Sequence, residues 1–335
     1  MRVGLTYDLR DDYLAAGYGE EQAAELDRPE TIDAIAGAIL ALGHTPVRIG
    51  NLAALAGRLL AGERWDLVFN IAEGLYGLAR ESQVPALLDA WQVPYTFSDP
   101  MVLALALHKA MAKRVVRDAG VPTPDFRLVE AAADAEAVDL AFPVFCKPVA
   151  EGSSKGVTPA SRAGTREDLR RACQDLLARF GQPVLVEEFL PGRELTVGVL
   201  GTGRRAEVLG VLDVVMRPGA ESGIYSFHNK EHYDLFVDYR LADDPGARAA
   251  AAVALSAWRA LGGRDAGRID VRCDGAGRPH FLEVNPLAGL HPERSDLAIL
   301  ARQVGLGYQG LIERIVQSAV ERLGPSRAGP AASAA

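Results

Sequence analysis

Two segments constrain this chain most: Gly267-Arg268-Ile269-Asp270-Val271 and Phe281-Leu282-Glu283-Val284-Asn285. They read as short strands joined by a turn at Asp274-Gly275-Ala276-Gly277. Side chains alternate across a strand, so Arg268 and Asp270 share one face, and Glu283 and Asn285 share a face of the partner. Where those faces coincide, two carboxylates, an amide oxygen and a guanidinium converge. Such a set suits Mg²⁺, a hard cation that takes a few protein oxygens and leaves places for phosphate, with Mn²⁺ as an alternative. The competing reading is a surface hairpin tied by salt bridges.

The first third of the chain alternates strands with helices. Residues 2–7, 45–49 and 65–70 read as strands, 31–42 and 52–60 as helices. That order predicts a parallel sheet covered on both faces, with ligands beyond the carboxyl ends of its strands, at Tyr7-Asp8 and 70–73. Beyond it, a helix over 109–119 precedes the stiff link Val121-Pro122-Thr123-Pro124. A strand over 142–148, a loop over 151–156 and a helix over 166–179 follow. Residues 184–189 and 194–200 read as a strand pair around Pro191-Gly192. Helices over 247–261, 297–304 and 308–323 close the pattern. The fold class is therefore α/β with an α+β catalytic part. The expected divisions are 1–97, 98–183, 184–324 and a disordered tail over 325–335.

A length of 335 residues is too much for one ordinary core. The net charge of −8 argues against a nonspecific nucleic-acid partner. Cys146, Cys173 and Cys273 are scattered, without metal-ligand or disulfide spacing, which points to a reducing cytoplasm. The apolar start ends at Asp8, too soon for a signal peptide, and no later run reads as a membrane span.

Lys147 stands at a strand end just before Glu151-Gly152-Ser153-Ser154-Lys155-Gly156. Glycines let backbone N–H groups approach an anion, serines add short donors, and a lysine adds a mobile charge, so the loop is a phosphate candidate. An ordinary turn of the same composition is the alternative. Val186-Glu187-Glu188-Phe189-Leu190 reads as an extended hinge that offers backbone groups to a base, with apolar cover from Phe189 and Leu190. Glu187 is placed to accept from an exocyclic amine, and Glu194 from a ribose hydroxyl.

In this order the segments resemble the ATP-grasp superfamily and, within it, the D-alanine–D-alanine ligase family. The resemblance also draws on Phe142-Pro143-Val144-Phe145-Cys146-Lys147-Pro148 and on Ala301-Arg302-Gln303-Val304-Gly305-Leu306-Gly307-Tyr308. It implies an ATP-grasp fold behind an N-terminal parallel-sheet domain. It implies that Lys109, Lys147 and Lys230 hold ATP, with Ser153 and Ser154 over the active site. Glu187, Glu188, Phe189, Leu190, Glu194 and Leu282 would line the adenosine site. Asp270, Glu283 and Asn285 would hold Mg²⁺, and Arg268 would stabilise the oxyanion. The implied chemistry phosphorylates a carboxylate, and an amine then displaces phosphate to form an amide.

The departures from the family pattern fall on the amino-acid side. Residues 8–28 form a long charged insertion, with Glu30 as the nearest candidate for the glutamate that holds the first substrate's amine. The family's His-Gly reads Glu73-Gly74. Glu231 stands where the family has a tyrosine. The Asn-Thr-x-Pro-Gly segment reads Asn285-Pro286-Leu287-Ala288-Gly289, and Ser295 matches the later serine only after one inserted residue, with Arg294 beside it. The resulting expectation is an ATP-dependent carboxylate–amine ligase acting on amino acids or small peptides, through Glu30, Glu73, Arg268, Gly289, Arg294 and Ser295. D-alanine–D-alanine ligase proper, an ester-forming ligase and a non-catalytic nucleotide-binding protein are the alternatives. A homodimer is left open.

Overall fold

Three sheets make up the framework of the computed structural model, which describes residues 1–221 and 226–323, apart from the side chains of Lys230 and Glu231. The first sheet is parallel, in the order β2-β1-β3, from β1 (Arg2–Thr6), β2 (Thr45–Gly50) and β3 (Leu67–Asn70). Helices Pro29–Ala41 and Leu52–Leu60 connect these strands. Pro at the first turn starts the former, and the Asn51 side chain caps the latter by accepting from the Ala54 N–H.

The second sheet is antiparallel, in the order β4-β7-β5-β6, from β4 (Phe126–Val129), β5 (Val144–Pro148), β6 (Arg162–Ala163) and β7 (Val184–Glu188). The third runs β10-β9-β8-β11-β12, all antiparallel, from β8 (Glu194–Leu200), β9 (Glu207–Met216), β10 (Val237–Leu241), β11 (Ala266–Cys273) and β12 (Pro279–Asn285).

The strands 184–188 and 194–200, expected to pair with each other, lie in different sheets. β7 pairs with β4 and β5, and β8 with β9 and β11. Pro191-Gly192 therefore marks a crossing between sheets rather than a hairpin turn. The second sheet accordingly runs past the division expected at residue 184.

Helix Pro245–Leu261 covers the third sheet with an alanine face that includes Ala250, Ala254 and Ala257, and with Trp258. Small side chains there let the helix lie close to β8 and β11. The closing helix Gly307–Leu323 packs Leu311, Ile312 and Ile315 into one core with Ile32, Ile35 and Ile39 of Pro29–Ala41 and with Val3, Leu5 and Phe69 of the first sheet. Among the described residues no helix is long and apolar enough to cross a membrane. The expected tail over 325–335 lies outside the described residues.

Candidate functional site

A cleft of about 100 Å³ opens where the chain crosses from β7 to β8. Phe145, Lys147, Glu188, Phe189, Leu190 and Leu282 line it. Glu187 is buried at its back, with Oε2 2.7 Å from Lys113 Nζ and Oε1 2.8 Å from Lys147 Nζ. Burial alone would raise its pKa, but the two ammonium groups hold it below the usual carboxylate value. Burial pushes the Lys113 ammonium down to about 8, while Glu187 and Glu283 outweigh burial at Lys147 and hold it above the usual lysine value. Glu187 was expected to meet an exocyclic amine; both its oxygens are already engaged by lysines. The guanidinium groups of Arg162 and Arg272 lie 4.5 and 5.2 Å from the Phe189 ring centre. Arg272 also pairs with Glu194 at 2.9 Å.

The hairpin of β11 and β12 forms the floor. Its register sets Asp270 opposite Glu283 and Arg268 opposite Asn285, so the four side chains share one region of the sheet. The Thr196 hydroxyl donates to Asp270 Oδ1 at 2.9 Å. Arg268 reaches Asp270 at 3.2 Å and Asp296 at 2.7 Å. Glu283 lies 3.5 Å from Lys109 Nζ and 3.9 Å from Lys147 Nζ. Two carboxylates and an amide oxygen at this point could hold a divalent cation.

A second cavity, of about 240 Å³, adjoins the cleft. The two share Lys109, Glu151, Arg268, Glu283 and Asp296. The loop after β5 contributes to both: Ser153 lines the larger cavity and Ser154 the cleft. Both serines have left-handed backbone angles, φ 48° and 55°. Asp27, Glu73 and Glu81 also line the larger cavity. Burial and neighbouring carboxylates, Asp8 for Asp27 and Glu81 for Glu73, push these groups up, Asp27 to about 7 and Glu73 well above the usual value. Burial likewise takes Glu81 to about 7 although Arg80 opposes it.

A family model described as the D-ala D-ala ligase C-terminus matches residues 115–317. A D-alanine–D-alanine ligase from Bordetella petrii is 37% identical over 265 residues, 78% of this chain and 78% of that protein. The chain belongs to the D-alanine–D-alanine ligase family. As an ATP-grasp member of that family it is an ATP-dependent ligase that forms C–N bonds. The fold agrees. A crystal structure of the D-alanine–D-alanine ligase from Bacillus anthracis superposes with a TM-score of 0.74 at 19% identity, covering 96% of this chain and 98% of that one. A D-Ala:D-Ser ligase from Enterococcus faecalis gives 0.72 at 18%, covering 95% and 99%.

In this D-alanine–D-alanine ligase family member, most residues singled out from the sequence gather around the two cavities. Gly289, Arg294 and Ser295 line the larger one. The Ser295 hydroxyl accepts from the His291 N–H at 2.8 Å, and a Cβ at Gly289 would stand 2.9 Å from that hydroxyl. Glu30 is corrected. It sits exposed in the first turn of Pro29–Ala41, and Asp27, before the helix begins, lines the cavity instead. Lys230 falls in the short helix Phe227–Glu231, and its side chain, like that of Glu231, lies outside the described residues. Lys113, Glu25, Asp27, Arg80 and Glu81 escaped the reading of the sequence, and Lys155 entered it only as a member of the loop 151–156. Only Lys113 carried a signal: it lies one helical turn from Lys109 on Lys109–Asp118.

Proposed function

We propose that this ligase activates a carboxylate substrate in the larger cavity with ATP bound in the cleft, and that Asp270, Glu283 and Asn285 hold Mg²⁺ between them. The observation that carries this reading is the shared wall of Lys109, Arg268 and Glu283, where a phosphoryl group leaving the cleft would meet a carboxylate in the cavity. Hard oxygen donors in register on β11 and β12 suit the ion, which when bound neutralises phosphate charge. Lys147 and Lys109 are placed to meet phosphate oxygens, and Phe189 and Leu190 to cover the base. Arg268 stands over the same wall with a planar fork suited to the oxyanion formed when the amine attacks the acyl phosphate.

The substrate pair is proposed to differ from two D-alanines. Asp27, Glu73 and Glu81 form a wall of carboxyls whose charge is costly without a partner, so the wall favours a cationic or amine-bearing group that can supply one. The fold itself leaves the second substrate open, since it is shared with a D-Ala:D-Ser ligase. The substrates are small molecules, and the proposed setting is a reducing cytoplasm, consistent with three free, buried cysteines. Release of ADP over pairs of L- and D-amino acids and dipeptides tests the reading. The expected best pair carries a second amino or basic group; D-alanyl-D-alanine as the best product, with saturable D-alanine dependence, overturns the substrate proposal.

A further inference from the structure

Residues 8–28 depart most from the family pattern, and they are built into the fold rather than appended to it. The segment closes on itself at its base: the Arg10 N–H donates to the Asp27 carbonyl at 2.9 Å and the Asp27 N–H to the Asp8 carbonyl at 3.0 Å. Ala23 and Leu26 are buried, and the Tyr18 and Tyr76 hydroxyls meet at 2.5 Å.

From this base Glu25 reaches across to the loop after β5. Its Oε1 accepts from the Gly152 N–H at 2.6 Å, and its Oε2 accepts from Arg80 Nη2 at 2.9 Å and lies 3.2 Å from Lys155 Nζ. The same two cations grip the loop elsewhere. Arg80 Nη1 donates to the Ala150 carbonyl at 2.8 Å, and Lys155 lies 2.6 Å from Glu151. A Cβ at Gly152 would meet the Glu25 carboxylate, so a side chain there would push Glu25 from this position. The next two residues, Ser153 and Ser154, hold left-handed angles that persist only where the surroundings over-determine them.

We propose that Glu25 is a positioning residue that fixes the loop 151–156 over the nucleotide phosphates, which makes the segment 8–28 part of the nucleotide site. The inference rests on the reading of the cleft as the ATP site. Glu25 and, two residues on, Asp27 both line the larger cavity, so the segment meets that space directly and the cleft only through the loop it holds. Charge supports the role: burial would raise the Glu25 pKa, but Arg80 and Lys155 outweigh it and keep the carboxylate ionised.

The test is calorimetric binding to the full chain of two probes, adenylyl imidodiphosphate with Mg²⁺ and adenosine, which lacks phosphates. Losing a charge-assisted bond network at the loop, Glu25→Ala should weaken the triphosphate analogue about tenfold and leave adenosine within about twofold. Glu25→Gln keeps an acceptor for Gly152 and loses the charge facing Arg80 and Lys155, so its loss should be smaller. Lys155→Met, which leaves the segment's own sequence untouched, should shift the same selectivity in the same direction. Unchanged analogue affinity in these variants, or a parallel loss of adenosine, overturns the role of Glu25. A wild-type chain that binds neither probe overturns the nucleotide reading itself.

Discussion

The cleft and the larger cavity share a wall and differ in how their charges are balanced. In the cleft most carboxylates have a cation at hand: Glu187 has Lys113 and Lys147, Glu194 has Arg272, Asp270 has Arg268, while Glu188 accepts from the Asp125 N–H instead. In the cavity Asp27, Glu73 and Glu81 have no lysine or arginine within ion-pair distance among the described residues, although Arg80 tempers Glu73 and Glu81 from further away. The Glu187 carboxylate is held down and those of Asp27, Glu73 and Glu81 are pushed up. One half is assembled without a ligand, its lysines held by Glu187. The other has carboxyls that burial biases toward the neutral form, so an incoming cation would have to draw them into the charged form, which ties affinity there to the chemistry of the incoming molecule.

Removing a carboxylate from each half should therefore have opposite effects, and the largest belongs to the cleft. Glu187→Ala leaves Lys113 and Lys147 buried around an empty centre and should cost about 3–5 kcal/mol of stability. Denaturant unfolding measures it; a loss as small as that of a surface carboxylate would mean that the lysines are not held by Glu187. Next come Asp270→Asn and Glu283→Gln, each expected to lower turnover by about 3–4 kcal/mol of transition-state stabilisation with the fold intact. Near-normal turnover of both variants at low Mg²⁺ would remove the metal assignment.

Arg268→Lys should have a smaller and more selective effect. A compact ammonium cannot copy a planar fork. Amide formation should slow more than acyl phosphate formation, which isotope exchange separates; equal slowing of both steps would count against the oxyanion role.

The last effect, spread over a pH range rather than read at one pH, is the one that probes the cavity. Asp27 has a folded value of about 7, above its ordinary 3.8, so between these values the folded chain binds more protons than the unfolded one. The associated stability is fully present below the ordinary value and is lost as pH rises through about 7. Asp27→Asn should flatten the dependence of Tm on pH across this window and raise Tm at pH 8. An unchanged slope would show that the charge is already balanced without a ligand.

The cleft was more legible in the sequence than the cavity, and distance along the chain explains the difference. The shared face of Arg268, Asp270, Glu283 and Asn285 follows from alternation on two strands joined by a short turn, a local property. Lys147 and the loop after it are likewise neighbours in sequence. Glu25 meets Gly152 from 127 residues away, and nothing near either residue announces the other. Glu30 was named without Asp27 because a segment without periodicity offers no register; in the structure Glu30 is exposed at the start of Pro29–Ala41 and Asp27 lines the cavity. The pairing expected for 184–189 and 194–200 failed for a related reason: two strands around Pro-Gly look alike whether the chain turns back or crosses to another sheet.

The helix Gly307–Leu323 has a consequence for how the chain is made. Residues 2–70 leave the ribosome well before residues 307–323, yet Ile32, Ile35 and Ile39 share their core with Leu311, Ile312 and Ile315. The first sheet and its helix must therefore wait, with an apolar face open to water, until residues 307–323 have been made. Chains stopped short of Gly307 would carry that open face permanently. A nascent chain of this kind is a natural client for a chaperone, and premature termination would yield a sticky product rather than a smaller working enzyme.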